Sequence, residues 1–188
     1  MLESREPMAG CAVLDVFAGT GGLGIEALSR GAARAVFVDA SRAAADAIRA
    51  NLATAGFAGE VVTMPAARAL PRLAAAGRRF AGAFLDPPYE QGWIAPTLAL
   101  LDELALVEAG GWVVVEHGRD EVPADRYGAL ERAVQRCYGD TRIALYHVRR
   151  PANRASRADA HRSTAPQAPR ARGRNSMKRT PERSHGHE

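Results

Sequence analysis

The stretch VLDVFAGTGGLGIEALSRGA, residues 13–32, decides the fold. Residues 13–17 read as a short apolar strand interrupted by one carboxylate, Asp15. A glycine-rich turn follows at Gly19, Gly21, Gly22 and Gly24. Ile25, Ala27 and Leu28 then sit between Glu26, Ser29 and Arg30 as on an amphipathic helix. Strand, glycine turn and helix in that order open a doubly wound nucleotide-binding fold. Glycine has no Cβ, so the backbone there can turn sharply and lie against a ligand. A second carboxylate, Asp39, stands 20 residues after Gly19 at the end of a second apolar run, AVFVD. Such folds place an acid there to accept hydrogen bonds from ribose hydroxyls.

Gly19, Gly21 and Gly24 fit G-x-G-x-x-G, so the glycines by themselves leave a dinucleotide cofactor open. Asp15 weighs against it. A carboxylate in the strand just before the loop repels a pyrophosphate and welcomes a positively charged amino group. S-adenosylmethionine has an ammonium group, a sulfonium and a ribose, and no phosphate. The other reading of Asp15 is a carboxylate that caps the turn after the strand.

The 188 residues are enough for one domain with its own core, and 47% hydrophobic with 24% charged residues is an ordinary soluble composition. No run approaches the roughly 20 apolar residues of a membrane span. The opening MLESREPMAG is too polar for a signal peptide. Cys11 and Cys137 are far apart and suggest neither a disulfide framework nor a zinc spacing, so a reducing cytoplasm is expected. Charge is uneven: residues 149–188 hold 11 Lys and Arg against 3 Asp and Glu, leaving 14 against 18 in residues 1–148. A mildly acidic body thus precedes a basic tail, which is either an electrostatic lure for nucleic acid or an inert extension.

Further along, Ser41 is placed as an N-cap, Ala45, Ile48 and Leu52 form an apolar stripe, and Gly56 ends that helix. Strands are expected over 61–64, 80–85 and 111–116, with helices over 66–76 and 93–106. Residues 129–138 and 141–148 read as two closing strands joined by a turn at Gly139 and Asp140, an antiparallel pair at one edge. The alternation predicts an α/β fold, a mainly parallel, doubly wound sheet covered on both faces. Residues 1–150 form that domain. Residues 151–188, rich in Arg, Pro, Ser and Ala, bury too little apolar surface to offset chain entropy and are expected to be disordered. An isolated His185-x-His187 there is not read as a metal site.

Asp86-Pro87-Pro88-Tyr89 is more discriminating than the glycine loop. It falls past the carboxyl end of the fourth strand, where open α/β sheets bind ligands. Two successive prolines fix two φ angles and lack N–H groups, so the loop offers carbonyl acceptors without competing donors. Asp86 adds a carboxylate acceptor, and Pro88 and Tyr89 add surface and an aromatic face for a planar group bearing an exocyclic NH2. Acceptors aimed at both N–H bonds localise the nitrogen lone pair and stabilise the positive charge that develops as methyl arrives. A base paired in a helix cannot enter, so the target nucleotide is flipped or unpaired, and Tyr89 stacks on it. Read without the glycine loop, Asp-Pro is also a common strand-ending turn.

Together, DVFAGTGGLGIEALSRGA, Asp39, DPPY, VVVEH and the closing GDTRIALYHVR resemble the RsmD-type bacterial 16S rRNA guanine-N2 methyltransferases over roughly residues 1–150. The resemblance implies a class I, Rossmann-like methyltransferase using S-adenosylmethionine. It assigns cofactor binding to Asp15, Ala18, Gly19, Thr20, Gly21, Gly24, Asp39 and Ala66. Catalytic or substrate roles fall to Asp86, Pro87, Pro88 and Tyr89, with no metal. The implied partner is 16S rRNA within a small-subunit assembly, met by a monomer in the cytoplasm and away from any membrane. Two departures stand out. Pro65 replaces the family's frequent Asn or Asp near the adenine, leaving adenine recognition to backbone groups. The chain also begins about ten residues before Val13, without the family's basic N-terminal extension. Three other readings remain open: an N6-adenine methyltransferase of DNA or RNA, a dinucleotide-dependent oxidoreductase, and a binding-only remnant.

Overall fold

A computed structural model describes residues 8–89 and 91–150. The predicted disordered tail, His185 and His187 among it, and the opening MLES lie outside the described residues. The first strand, β1 (Ala12–Val16), is followed by α1 (Gly22–Ser29), β2 (Arg34–Asp39), α2 (Arg42–Ala55), β3 (Glu60–Thr63) and α3 (Ala66–Ala75). Then come β4 (Phe80–Leu85), α4 (Ile94–Glu103), β5 (Val107–His117), β6 (Arg126–Tyr127), β7 (Leu130–Tyr138) and β8 (Thr141–Val148). One sheet holds all eight strands in the order β3-β2-β1-β4-β5-β8-β7-β6. The strands from β3 to β5 are parallel, and β8 runs antiparallel to β5. Strand order reverses between β1 and β4, which opens a crevice at their carboxyl ends.

Strand residues point alternately to the two faces. Leu14, Val16, Val36 and Val38 bury one face against Leu70 and Leu73 of α3 and Leu98 and Leu101 of α4. Val13 and Phe37 bury the other against Ala27 and Leu28 of α1 and Ile48 and Leu52 of α2. The same alternation puts Asp15 on the α1 face. In α2, Ser41 caps as expected, its side chain accepting from the Ala44 N–H at 3.3 Å, and Gly56 ends the helix at φ 72°.

Three expectations are corrected. The helix expected over 93–106 stops at Glu103, because Ala105 turns to φ 47° and the Leu106 N–H returns to the Leu101 carbonyl. Strand β5 begins at Val107 rather than Gly111, since Gly110 and Gly111 lie within the strand at a register shift, with Gly110 at φ 86°. The closing pair is also more than an edge hairpin. β8 is interior, with Ala144 and Tyr146 fully buried between β5 and β7, and the two-residue β6 pairs with the outer side of β7. Two residues are too few to show any periodicity.

Candidate functional site

The glycine loop is built by backbone strain and two carboxylates. After β1 the chain enters the left-handed region at Phe17, φ 62°, a conformation costly for a residue with a Cβ. Gly19 and Gly21 continue there at φ 54° and 83°, where glycine carries no such cost. The Ala18 N–H donates to the Val38 carbonyl at 3.1 Å and the Gly21 N–H to the Ala18 carbonyl at 2.6 Å, tying the loop to β2 and to itself. Asp39 accepts from the Gly19 N–H at 2.9 Å through one oxygen and from the Ser41 N–H at 2.8 Å through the other. Asn51 of α2 reaches back and donates to the Thr20 carbonyl at 2.9 Å.

Asp15 is 1% exposed and accepts from the Gly24 N–H at 2.9 Å. Burial pushes its carboxyl up to about 7; the Gly24 bond opposes the rise, and the charges of Asp86 and Asp39 add to it. A cation placed against Asp15 would recover the ionised form. Gly24 is needed where it stands: a Cβ there would lie 2.3 Å from a Phe37 ring carbon and 3.1 Å from an Asp15 oxygen.

A cavity of about 1230 Å³ opens over these elements. Asp15, Ala18, Gly19, Thr20, Asp39 and Ala66 all line it, as do Asp86, Pro87, Pro88 and Tyr89. Gly21 and Gly24 are not in the lining. They support it from beneath, Gly21 packed over Ile48 and Gly24 under Asp15. Leu23, Pro65 and Leu100 supply apolar wall.

The Asp86 N–H donates to the Val16 carbonyl at 3.4 Å, which anchors the start of the DPPY loop to the end of β1. The two motifs therefore share one crevice, although about 65 residues separate them. Burial and the nearby Glu116 charge push the Asp86 carboxyl up to about 6. Tyr89 is 43% exposed, yet its hydroxyl donates to Glu116 Oε1 at 2.8 Å and lies 3.2 Å from Thr141 Oγ1. The Thr141 contact lowers the phenol pKa, but the Glu116 bond, burial and the Glu116 and Asp86 charges together hold it above its ordinary value.

The family model for conserved hypothetical protein 95 matches residues 1–147. The chain belongs to this RsmD-type family. A Bacillus subtilis relative, YlbH, provisionally named an rRNA methyltransferase, is 40% identical over 138 residues, covering 72% of this chain and 75% of that one. Ribosomal RNA small subunit methyltransferase D of Escherichia coli is 37% identical over 124 residues, covering 60% of this chain and 58% of that one. The chain thus spans little more than half of that relative's length. Among solved structures, an Escherichia coli protein provisionally named a methyltransferase superposes with a TM-score of 0.65 at 29% identity, covering 76% of this chain and 77% of that one. The fold is that of the class I methyltransferases.

Several residues of this RsmD-type site escape sequence reasoning. Phe17 and Glu116 lie within motif segments that give them no role, and Asn51 lies outside those segments; Asn51 and Glu116 reach the site through long-range contacts. Trp93, 46% exposed, lines the cavity with its indole N–H on Gln91 Oε1 at 3.0 Å. Its place four residues after Tyr89 is the one signal that could have found it. Pro65, Ala66 and Ala67 do line the cavity. The first N–H groups of α3, at Ala66 and Ala67, are left over by the helix and are the polar groups offered there. Among the described residues no cluster of three or more His, Cys, Asp or Glu side chains could hold a metal ion, and no helix is long and apolar enough to cross a membrane.

Proposed function

We propose that this protein transfers a methyl group from S-adenosylmethionine to the exocyclic N2 amino group of a guanine in 16S rRNA. One observation carries the reading: in a member of this family, Asp15 and Asp39 open into the same cavity as the Asp86-Pro87-Pro88-Tyr89 loop. The cavity fits the cofactor. Asp15, costly to ionise while bare, is matched to an ammonium group, and each Asp39 oxygen keeps a lone pair for a ribose hydroxyl after its one backbone bond. Leu23, Pro65 and Leu100 supply an apolar slot for adenine. A pyrophosphate at the glycine loop would face Asp15 with like charge, which disfavours an oxidoreductase.

When bound, S-adenosylmethionine supplies an electrophilic methyl group. Asp86 and the carbonyls of the proline loop accept from the base amino group and localise its lone pair. The nitrogen pair forms the new C–N bond, the C–S electrons leave with sulfur, and the nitrogen becomes cationic. Asp86, with its carboxyl raised to about 6, is a stronger base than an ordinary carboxylate and takes the proton that this nitrogen loses. Tyr89 and Trp93 offer aromatic surface at the mouth for a base outside its stack.

The same reading makes residues 1–150 the catalytic domain, acting as a monomer on a small-subunit assembly in the cytoplasm. The test is methyl transfer to small-subunit particles followed by nucleoside analysis. N2-methylguanosine is expected. N6-methyladenosine would move the chain to the adenine enzymes, and binding of S-adenosylmethionine without transfer to RNA or DNA would make it a binding protein.

A further inference from the structure

The DPPY loop carries its aromatic residue at an exposed position, where a side chain ordinarily exchanges among rotamers. Tyr89 is instead held at both ends. Its hydroxyl donates to Glu116 Oε1 on β5, with Thr141 Oγ1 at the start of β8 beside the same oxygen. Its ring lies along Gly118, where an added Cβ would be 3.6 Å from Tyr89 Cγ and Cδ2. Tyr89 also lines the cavity.

We propose that Glu116 is a positioning residue of the methyl-transfer site, holding Tyr89 as a fixed platform for the target base. The inference rests on the proposed methyl transfer and adds a residue to it. Glu116 and Thr141 meet the phenol oxygen from two strands while the ring lies along Gly118, so the tyrosine is fixed at both ends. A glutamine at 116 would still accept the Tyr89 hydroxyl through its amide oxygen, so the platform needs the acceptor and not the charge.

The arrangement separates by substitution. Glu116→Gln keeps the hydrogen bond and loses the charge. Tyr89→Phe keeps the charge and loses the bond. Glu116→Ala loses both. Each variant is first matched to the unaltered protein in its unfolding midpoint and S-adenosylmethionine affinity. Tyr89→Phe and Glu116→Ala should raise KM for small-subunit RNA about five- to tenfold, the scale of one lost hydrogen bond at a half-exposed site. Glu116→Gln, which keeps an acceptor for the Tyr89 hydroxyl, should leave KM within about twofold. Thr141→Ser should resemble the unaltered protein, and Thr141→Val should follow Tyr89→Phe in direction.

Fluorescence anisotropy with a labelled single-stranded guanine-containing oligonucleotide gives a second readout without turnover. There Tyr89→Phe and Glu116→Ala should bind more weakly than Glu116→Gln. Equal KM and equal oligonucleotide affinity across all variants would overturn the platform. If the unaltered protein transfers no methyl group, the methylation reading fails by itself, while the anisotropy series still decides the platform.

Discussion

Asp15 sets the stability of the empty protein against its affinity for a cationic ligand, and Asp15→Asn should expose the conflict. Burial raises the Asp15 carboxyl from 3.8 to about 7, so the folded chain keeps a proton that the unfolded chain surrenders above about pH 4. Between those limits the folded state binds more protons, and its stability falls as pH rises. The loss is complete just above pH 7. A shift of about three pH units at about 1.4 kcal/mol each bounds the penalty near 4 kcal/mol, and relaxation around the ionised group brings the expected value to about 2–4 kcal/mol. Asparagine can still accept from the Gly24 N–H but never ionises. In urea unfolding of the empty protein, Asp15→Asn should therefore gain on the unaltered chain by about 1–3 kcal/mol between pH 5 and pH 8. The same variant should bind S-adenosylmethionine at least about tenfold more weakly at pH 8, having lost the charge opposite the ammonium. Parallel stability curves for the two proteins across this pH range would refute the reasoning.

Asp39→Ala should weaken S-adenosylmethionine binding by about 1–3 kcal/mol in calorimetry, because it removes the proposed ribose acceptor and strands the Gly19 and Ser41 N–H groups. Unchanged affinity would take Asp39 out of that role. Asp86→Ala should cut kcat at least about a hundredfold with cofactor affinity nearly intact, since its acceptor matters mainly in the transition state. In the unaltered enzyme, kcat/KM should fall on the acid side near pH 6, as Asp86 gains a proton. A rate flat from pH 5 to 8 would contradict that assignment. Gly24→Ala should destabilise by about 1–3 kcal/mol despite the better helix propensity of alanine, because the new methyl meets the buried Phe37 ring. An unchanged denaturation midpoint would show that α1 can shift at no cost.

The glycine-loop wall of the cavity was legible in the sequence because its determinants are local. Asp15, the glycine turn and Asp39 fall within 25 residues, and each obeys a rule of backbone geometry or strand order. The helix of residues 42–55 was legible for the same reason, from cap to glycine stop. The DPPY wall was half legible. Asp86 to Tyr89 announce themselves by two prolines, but Glu116 and Thr141 meet Tyr89 across 27 and 52 residues. No periodicity records that meeting. Gly21 and Gly24 satisfy the glycine pattern while serving backbone conformation and packing rather than the cavity lining, a distinction that only coordinates provide. The strand expected from Gly111 missed its first four residues, because Gly110 accommodates a register shift inside β5 that leaves no apolar alternation to read.

The direction of β8 has a bearing on how such a protein can be retargeted. A parallel neighbour of β5 would bring its last residue to the crevice, and any extension there would continue the chain elsewhere. Antiparallel β8 brings its first residue instead, directly after the Gly139-Asp140 turn. A longer turn at that point would grow outward beside the incoming nucleotide, and a surface loop of this kind is tolerated at small entropic cost. It would leave untouched the register of β1, β2 and β4, on which the cofactor half depends. The β7–β8 turn is thus a place where the mouth of the crevice can be altered while the glycine loop and the DPPY loop keep their anchors.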